Sequence, residues 1–95
     1  MKRLNVGVIG LGRLGRVYVR DLAGRIPETK VVAVADPIGN LAKEIAAEFD
    51  VPRSYTDPLA LIDDNNVDAI VIVTPTHIHR EQAIAAAKSK KPTFC

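Results

Sequence analysis

Ninety-five residues, 47% hydrophobic and 25% charged, have the balance of an ordinary globular chain and make up one domain or part of one. Thirteen Lys and Arg against eleven Asp and Glu leave a net charge of +2, too weak a field to argue for nucleic acid or an anionic membrane as partner. The lone Cys95 excludes an internal disulfide and favours a reducing compartment, and 4% aromatic content without Trp argues against a base-stacking surface.

The chain begins Met1-Lys2-Arg3 and runs into an apolar segment, as a signal peptide would. Asn5, Gly7 and Gly10 interrupt that segment, and Arg13 and Arg16 follow where a small-residue cleavage site belongs. No apolar stretch approaches the ~20 residues needed to span a bilayer. A cytoplasmic location is the expectation.

Leu4 to Ile9 is a short, nearly continuous apolar run, the pattern of a strand buried on both faces of a parallel sheet. It leads into Gly10-Leu11-Gly12-Arg13-Leu14-Gly15, a G-x-G-x-x-G spacing that opens the first predicted helix. At such a junction Gly10 permits the tight turn, Gly12 lets backbone approach a pyrophosphate, and Gly15 allows close helix packing. Backbone N–H groups at the helix start, with the helix dipole behind them, then face the phosphates. The plainer alternative is a strand-to-helix turn that needs glycine only for geometry.

Leu14, Val17, Tyr18 and Leu22 have the spacing of the helix's buried stripe, and Pro27 ends it. Arg13, Arg16 and Arg20 fall near one stripe of that helix. Arg13 is placed to lie beside the pyrophosphate or adenosine, while Arg16 and Arg20 read as a solvated face.

A second strand from Lys30 to Ala35 ends at Asp36, which stands 21 positions after Gly15. That is near the ~20 expected for the carboxylate that takes the hydroxyls of the adenine-side ribose. The same charge repels a 2′-phosphate, and Pro37, Ile38 and Gly39 supply no cation to offset it. NAD is therefore expected over NADP. Otherwise Asp36 is a solvated residue before a turn-forming proline.

Leu41, Ile45 and Phe49 predict a second helix, and Arg53 to Tyr55 a short edge strand. Asp57-Pro58 reads as an N-cap with proline in the first helical turn, opening a short helix through Leu59 and Ile62. Asn65-Asn66 suits the turn into a strand within Val67 to Val73. Next come Thr74-Pro75-Thr76-His77-Ile78-His79, a helix with its stripe at Ile78, Ala83, Ile84 and Ala87, and the start of a strand at Pro92 to Cys95. This β-α alternation predicts a doubly wound parallel α/β sheet of Rossmann type, cut short at its fifth strand.

In such a sheet the first and fourth strands are neighbours, and ligands bind at their carboxyl ends. The Thr74–His79 segment is then expected opposite the glycine loop, on the nicotinamide side of a dinucleotide. Thr74 or Thr76 offers a hydroxyl for ribose or for capping the following helix. His77 and His79 are too close to share a helical face, and no Cys or third His completes a metal set, so no metal site is expected. For each histidine the alternative is a solvent-facing residue of the first helical turn.

Three segments together resemble the N-terminal half of the glucose-fructose oxidoreductase, inositol 2-dehydrogenase and rhizopine-catabolism (Gfo/Idh/MocA) oxidoreductases. They are Val6–Leu22 (VGVIGLGRLGRVYVRDL), Val31–Asp36 (VVAVAD) and Thr74–Cys95 (TPTHIHREQAIAAAKSKKPTFC). The resemblance implies that a T-P-x-x-x-H turn lines the nicotinamide end, which carries over to Thr74, Pro75, Thr76, His77 and His79. Where that family usually has Gly-Lys before its fifth strand, this chain has Lys90-Lys91, read as structural.

The family continues past that strand into Glu-Lys-Pro and a C-terminal α/β substrate domain carrying the proton-transfer histidine. The expectation is that residues 1–95 form an incomplete dinucleotide-binding domain without catalytic residues, inactive alone and prone to self-association. The parent would be an NAD-dependent dehydrogenase passing hydride between a sugar, inositol or related polyol and the nicotinamide. The alternatives are a non-catalytic dinucleotide-binding module or sensor, and the cofactor domain of a homoserine dehydrogenase-like or dihydrodipicolinate reductase-like enzyme.

Overall fold

The structure, a computed structural model, describes residues 3–38, 40–74 and 76–94, with residues 76–79 described in their backbone only. The elements run β1 (Leu4–Ile9), α1 (Arg13–Gly24), β2 (Thr29–Ala35), α2 (Leu41–Glu48), β3 (Arg53–Tyr55), α3 (Pro58–Ile62), β4 (Ala69–Ile72), α4 (Thr76–Lys88) and β5 (Thr93–Phe94). The strands form one parallel sheet in the order β3-β2-β1-β4-β5. The order reverses between β1 and β4, so the crevice beyond their carboxyl ends is the switch point where such sheets bind ligands.

Helices lie on both faces of the sheet, which is why its central strands read as unbroken apolar runs, although the α1 face stays open over β4 and β5. Val6, Val8, Val31 and Val34 pack beneath Val19 of α1 and Ile45 of α2. Ile9, Ala33, Ile70 and Ile72 pack on the opposite side with Leu61 of α3 and Ala86 of α4. In β2 the pairing with β1 slips by one residue, from Val6 opposite Val31 to Gly7 opposite Ala33. Val32 is the extra residue, and the slip puts Val31 and Val34 on the same face despite their odd separation.

Local chemistry sets several boundaries. The Asp57 carboxylate accepts the Leu59 N–H at 3.0 Å and Pro58 occupies the first helical turn, so α3 begins as its N-cap predicted. The fourth strand is shorter than the Val67–Val73 run, and Val67 closes the preceding turn by donating its N–H to Asp64 O. Its register with β1 still extends beyond it, through Asp68 N–H to Asn5 O and Val73 N–H to Ile9 O.

Two helical faces differ from the sequence expectation. In α1 the sheet side carries Gly15 and Val19, while Leu14 is 58% exposed and Val17 and Tyr18 are also outside. Gly15 must approach the strand end, and this rotates the helix so that the larger apolar stripe faces sideways. Among the described side chains of α4 the buried ones are Gln82 and Ala86, not Ala83, Ile84 and Ala87, while Ile78 lies outside them. A helix in which alanine stands on every side has no periodic stripe to mark its buried face.

Candidate functional site

The crevice is built first by the bend from β1 into α1. Gly10 has φ +93°, a region L side chains rarely adopt, and a Cβ there would lie 2.8 Å from the carbonyl oxygen of Val73. A Cβ on Gly15 would lie 1.8 Å from the carbonyl oxygen of Gly10. Gly15 thus allows α1 to start directly against the loop, a closer contact than helix against strand. Around Gly12 the same construction meets nothing within 4 Å among the described residues.

Gly12 is the N-cap of α1, and neither a capping side chain nor an acidic residue occupies that first turn. The first helical bond is Arg16 N–H to Gly12 O, and the N–H groups of Gly12, Arg13, Leu14 and Gly15 have no acceptor among the described residues. Four orphan donors at the positive end of a helix, beside open space, suit a phosphate. The side chains of Arg13 and Leu14 are exposed, whereas that of Leu11 is buried in the core. Arg16 and Arg20 are exposed and pair loosely with Glu48 and Asp21, at 3.5 and 3.4 Å.

Asp36 closes the loop from the side of β2. Although only 6% exposed, its carboxylate is satisfied: Oδ2 accepts the Leu11 N–H at 2.8 Å and Oδ1 accepts the Ile38 N–H at 2.9 Å. The Leu11 amide is therefore occupied by Asp36, and the phosphate-facing set starts one residue later. Each carboxylate oxygen keeps a second acceptor site, enough for the two hydroxyls of a ribose. Pro37 and Ile38 beside it are exposed.

From the other side β4 delivers Val73 and Thr74 against Gly10, as the neighbouring strand order requires. The Thr74 methyl lies 3.0 Å from where a Gly10 Cβ would stand, and its hydroxyl donates to Gln82 Oε1 at 2.7 Å. Gln82 has no counterpart in the sequence reading. It closes the polar run Arg80-Glu81-Gln82, four positions before Ala86, and nothing in that run sets it apart as the one that turns inside. Pro75 and the side chains of Thr76, His77 and His79 lie outside the described residues.

A second buried acid, Asp64, lies between α3 and β4, on the amino-end side of β4. Burial alone would push the Asp64 carboxyl up, but the Asn66 N–H, the Tyr55 hydroxyl and the Arg53 guanidinium outweigh it and hold it at about 2. Donating to that carboxylate raises the Tyr55 hydroxyl in turn. Lys91 adds hydrogen bonds from Nζ to the carbonyls of Ile62 and Asp64. This network fastens the end of α3 to the edge strand β3 and to the approach of β5, so its role is architectural. Beside α1, an apolar groove of about 490 Å³ runs over β1, β4 and β5, walled by Leu14, Tyr18, Leu22 and Phe94.

Residues 4–95 match the Gfo/Idh/MocA pattern, described as an oxidoreductase family with an NAD-binding Rossmann fold. The chain is 36% identical to scyllo-inositol 2-dehydrogenase (NAD(+)) of Bacillus subtilis over 92 residues, which is 97% of this chain and 27% of that one. It is 38% identical to myo-inositol 2-dehydrogenase of Thermotoga maritima, again over 97% of this chain and 27% of the relative. The fold superposes on a probable dehydrogenase from Thermotoga maritima with TM-score 0.92 at 39% identity, over 97% of this chain and 27% of that one. It also superposes on scyllo-inositol dehydrogenase from Lactobacillus casei with bound NAD(H) and scyllo-inositol, at TM-score 0.92 and 27% identity, over 98% and 27% of the two chains. The chain thus spans about a quarter of the length of these relatives. No helix among the described residues is long and apolar enough to cross a membrane.

Proposed function

The chain belongs to the Gfo/Idh/MocA oxidoreductase family, and we propose that residues 1–95 are the cofactor platform of an NAD-dependent dehydrogenase of inositols or related polyols. The amides of Gly12 to Gly15 hold the pyrophosphate, with Gly10 and Leu11 shaping the bend and Arg13 and Leu14 flanking it. Asp36 takes the adenine-side ribose and disfavours a 2′-phosphate, so NAD is preferred over NADP. Thr74, with Pro75, Thr76, His77 and His79 assigned by family resemblance, lines the nicotinamide end. The bound nicotinamide supplies hydride chemistry at a substrate carbinol. The work of these residues is binding and orientation, and proton transfer falls to groups outside them.

The observation that carries this reading is the buried Asp36 carboxylate seated on the glycine loop beside four amides that have no acceptor among the described residues. Calorimetry of the chain with NAD, NADP and ADP tests it. NAD and ADP should both bind and NADP should bind more weakly; NADP binding the more tightly would overturn the ribose assignment. The polyol specificity rests on the inositol dehydrogenase relatives and is tested by assaying the full-length protein on inositols. A cytoplasmic location accords with the lone cysteine. In isolation the chain should self-associate through its exposed apolar groove, and concentration-independent monomer in sedimentation would refute that.

A further inference from the structure

We propose that Gln82 fixes the hydrogen-bonding sense of Thr74, so that the hydroxyl at the end of β4 presents only an acceptor to the nicotinamide riboside half of the cofactor. This rests on the binding reading above and assigns a positioning role to a residue outside the glycine loop and outside the Thr74–His79 turn.

Gln82 is 4% exposed on α4, just before its alanine-rich half. A buried amide there is costly unless partnered, and its partner is the Thr74 hydroxyl, which donates to Oε1 at 2.7 Å. A threonine hydroxyl has one proton and two lone pairs. With the proton given to Gln82, Oγ1 can only accept from anything that enters the crevice.

The side chain is held from the other side as well. The Thr74 methyl packs toward Gly10, and Val73 N–H is bonded to Ile9 O, so the turn is pinned to the end of β1. Thr74 is therefore presented in one orientation with one polarity. Such an acceptor welcomes a ribose hydroxyl or a carboxamide N–H and repels phosphate or carboxylate oxygens. The amides at the start of α1 have the reverse preference. The opposite preferences of Thr74 Oγ1 and the α1 amides favour one register of a dinucleotide: pyrophosphate against α1, the donor-bearing nicotinamide riboside against the end of β4.

ADP carries the adenosine and diphosphate but lacks the nicotinamide riboside, so comparing it with NAD isolates the proposed contact. In Gln82→Met the Thr74 proton is released, and NAD affinity should fall about three- to tenfold, the worth of one oriented hydrogen bond, while ADP affinity stays within about twofold. Thr74→Val, which leaves α4 untouched, should give the same pattern, and the double variant should lose no more than the worse single one, because both changes break one interaction. Gln82→Glu retains an acceptor for the Thr74 hydroxyl and should restore most NAD affinity. Equal losses for NAD and ADP, an unchanged NAD affinity, or losses that multiply in the double variant would overturn the proposal. If ADP fails to bind the unmodified chain, the underlying cofactor site is wrong and this inference falls with it.

Discussion

The Asp36 carboxylate accepts the Leu11 N–H at 2.8 Å, a buried hydrogen bond between residues 25 positions apart. The acid proposed to hold the ribose therefore also holds the loop that faces the pyrophosphate. Removing it does two things at once. In Asp36→Ala the Leu11 amide loses its acceptor, which costs about 1–3 kcal/mol of stability. The ribose hydroxyls lose a charged acceptor worth on the order of 1.5–3 kcal/mol. A fall in NAD affinity alone would thus confuse a loosened loop with a lost contact. The ratio of NAD to NADP affinity separates them, because only the carboxylate repels a 2′-phosphate. We expect the variant to melt lower, to bind NAD at least about tenfold more weakly, and to lose its preference over NADP. A ratio that survives the substitution would remove Asp36 from the ribose site.

Gly12 and Gly15 predict opposite outcomes for the same one-carbon change. At Gly15 a Cβ meets the Gly10 carbonyl at 1.8 Å, and a backbone atom cannot swing aside. Gly15→Ala should cost about 3 kcal/mol or more and weaken binding only as a consequence of misfolding. At Gly12, φ −68° and ψ −167° suit any residue, and the Cβ enters open space. Gly12→Ala should leave thermal melting unchanged within about 0.5 kcal/mol. Its methyl would stand where phosphate approaches the amides, and NAD affinity should fall on the order of tenfold, about 1.4 kcal/mol. Undiminished NAD affinity in a stable Gly12→Ala variant would move the pyrophosphate elsewhere.

Much of this arrangement was legible in the sequence because parallel strands buried on both faces carry their signal in composition alone. Leu4–Ile9 and the Val31–Ala35 run could be recognised without knowing their partners, and Asp57-Pro58 marked a helix start through purely local chemistry. The faces of the helices were less legible. Leu14, Tyr18 and Leu22 do form an apolar stripe, but periodicity does not say whether a stripe is covered, and here it walls an open groove. The burial of Val19 follows from the approach of Gly15 to Gly10, a three-dimensional fact. The position of Asp36 could be counted from the glycines, whereas its bond to Leu11 depends on how β1 and β2 align. Gln82 was silent for the same reason: its partner is eight residues away across a turn.

Asp64 should make stability depend on acid pH. Its side chain is 2% exposed, and its donors hold it at about 2, against an ordinary value of 3.8. A carboxyl depressed by folding stabilises the native state when ionised in both states, that is, above its unfolded value. The stabilisation drains away as pH falls from about 4 through about 2. With Arg53 open to solvent and screened, the amount is about 1–2 kcal/mol. Thermal melting between pH 5 and 2 should show this loss, and Asp64→Asn should flatten that part of the profile while lowering stability at pH 7. Cofactor affinity at pH 7 should change little, since Asp64 lies on the amino-end side of β4 and reaches Asp36 only through Tyr55, whose backbone carbonyl accepts the Asp36 N–H. An equal acid dependence in Asp64→Asn would assign the effect to other carboxylates.

Lys90 holds φ +64° where the chain leaves α4, at the position where the family's usual Gly-Lys places glycine. Its N–H donates to Ala87 O at 3.1 Å, and Lys91 then turns back so that Nζ reaches the carbonyls of Ile62 and Asp64. The left-handed residue ends the helix and aims its neighbour, with no side-chain chemistry required of Lys90 itself. A β-carbon is strained in that conformation and glycine is not. Lys90→Gly should therefore stabilise the chain by about 0.5–1 kcal/mol, the unfolded-state entropy of glycine offsetting part of the gain. Asp50, at φ +58°, gives an internal comparison. Aspartate tolerates this region better than lysine, so Asp50→Gly should gain less. Denaturant unfolding of the two variants reads the difference, and a Lys90→Gly variant less stable than the parent would show that the lysine side chain contributes to the helix end.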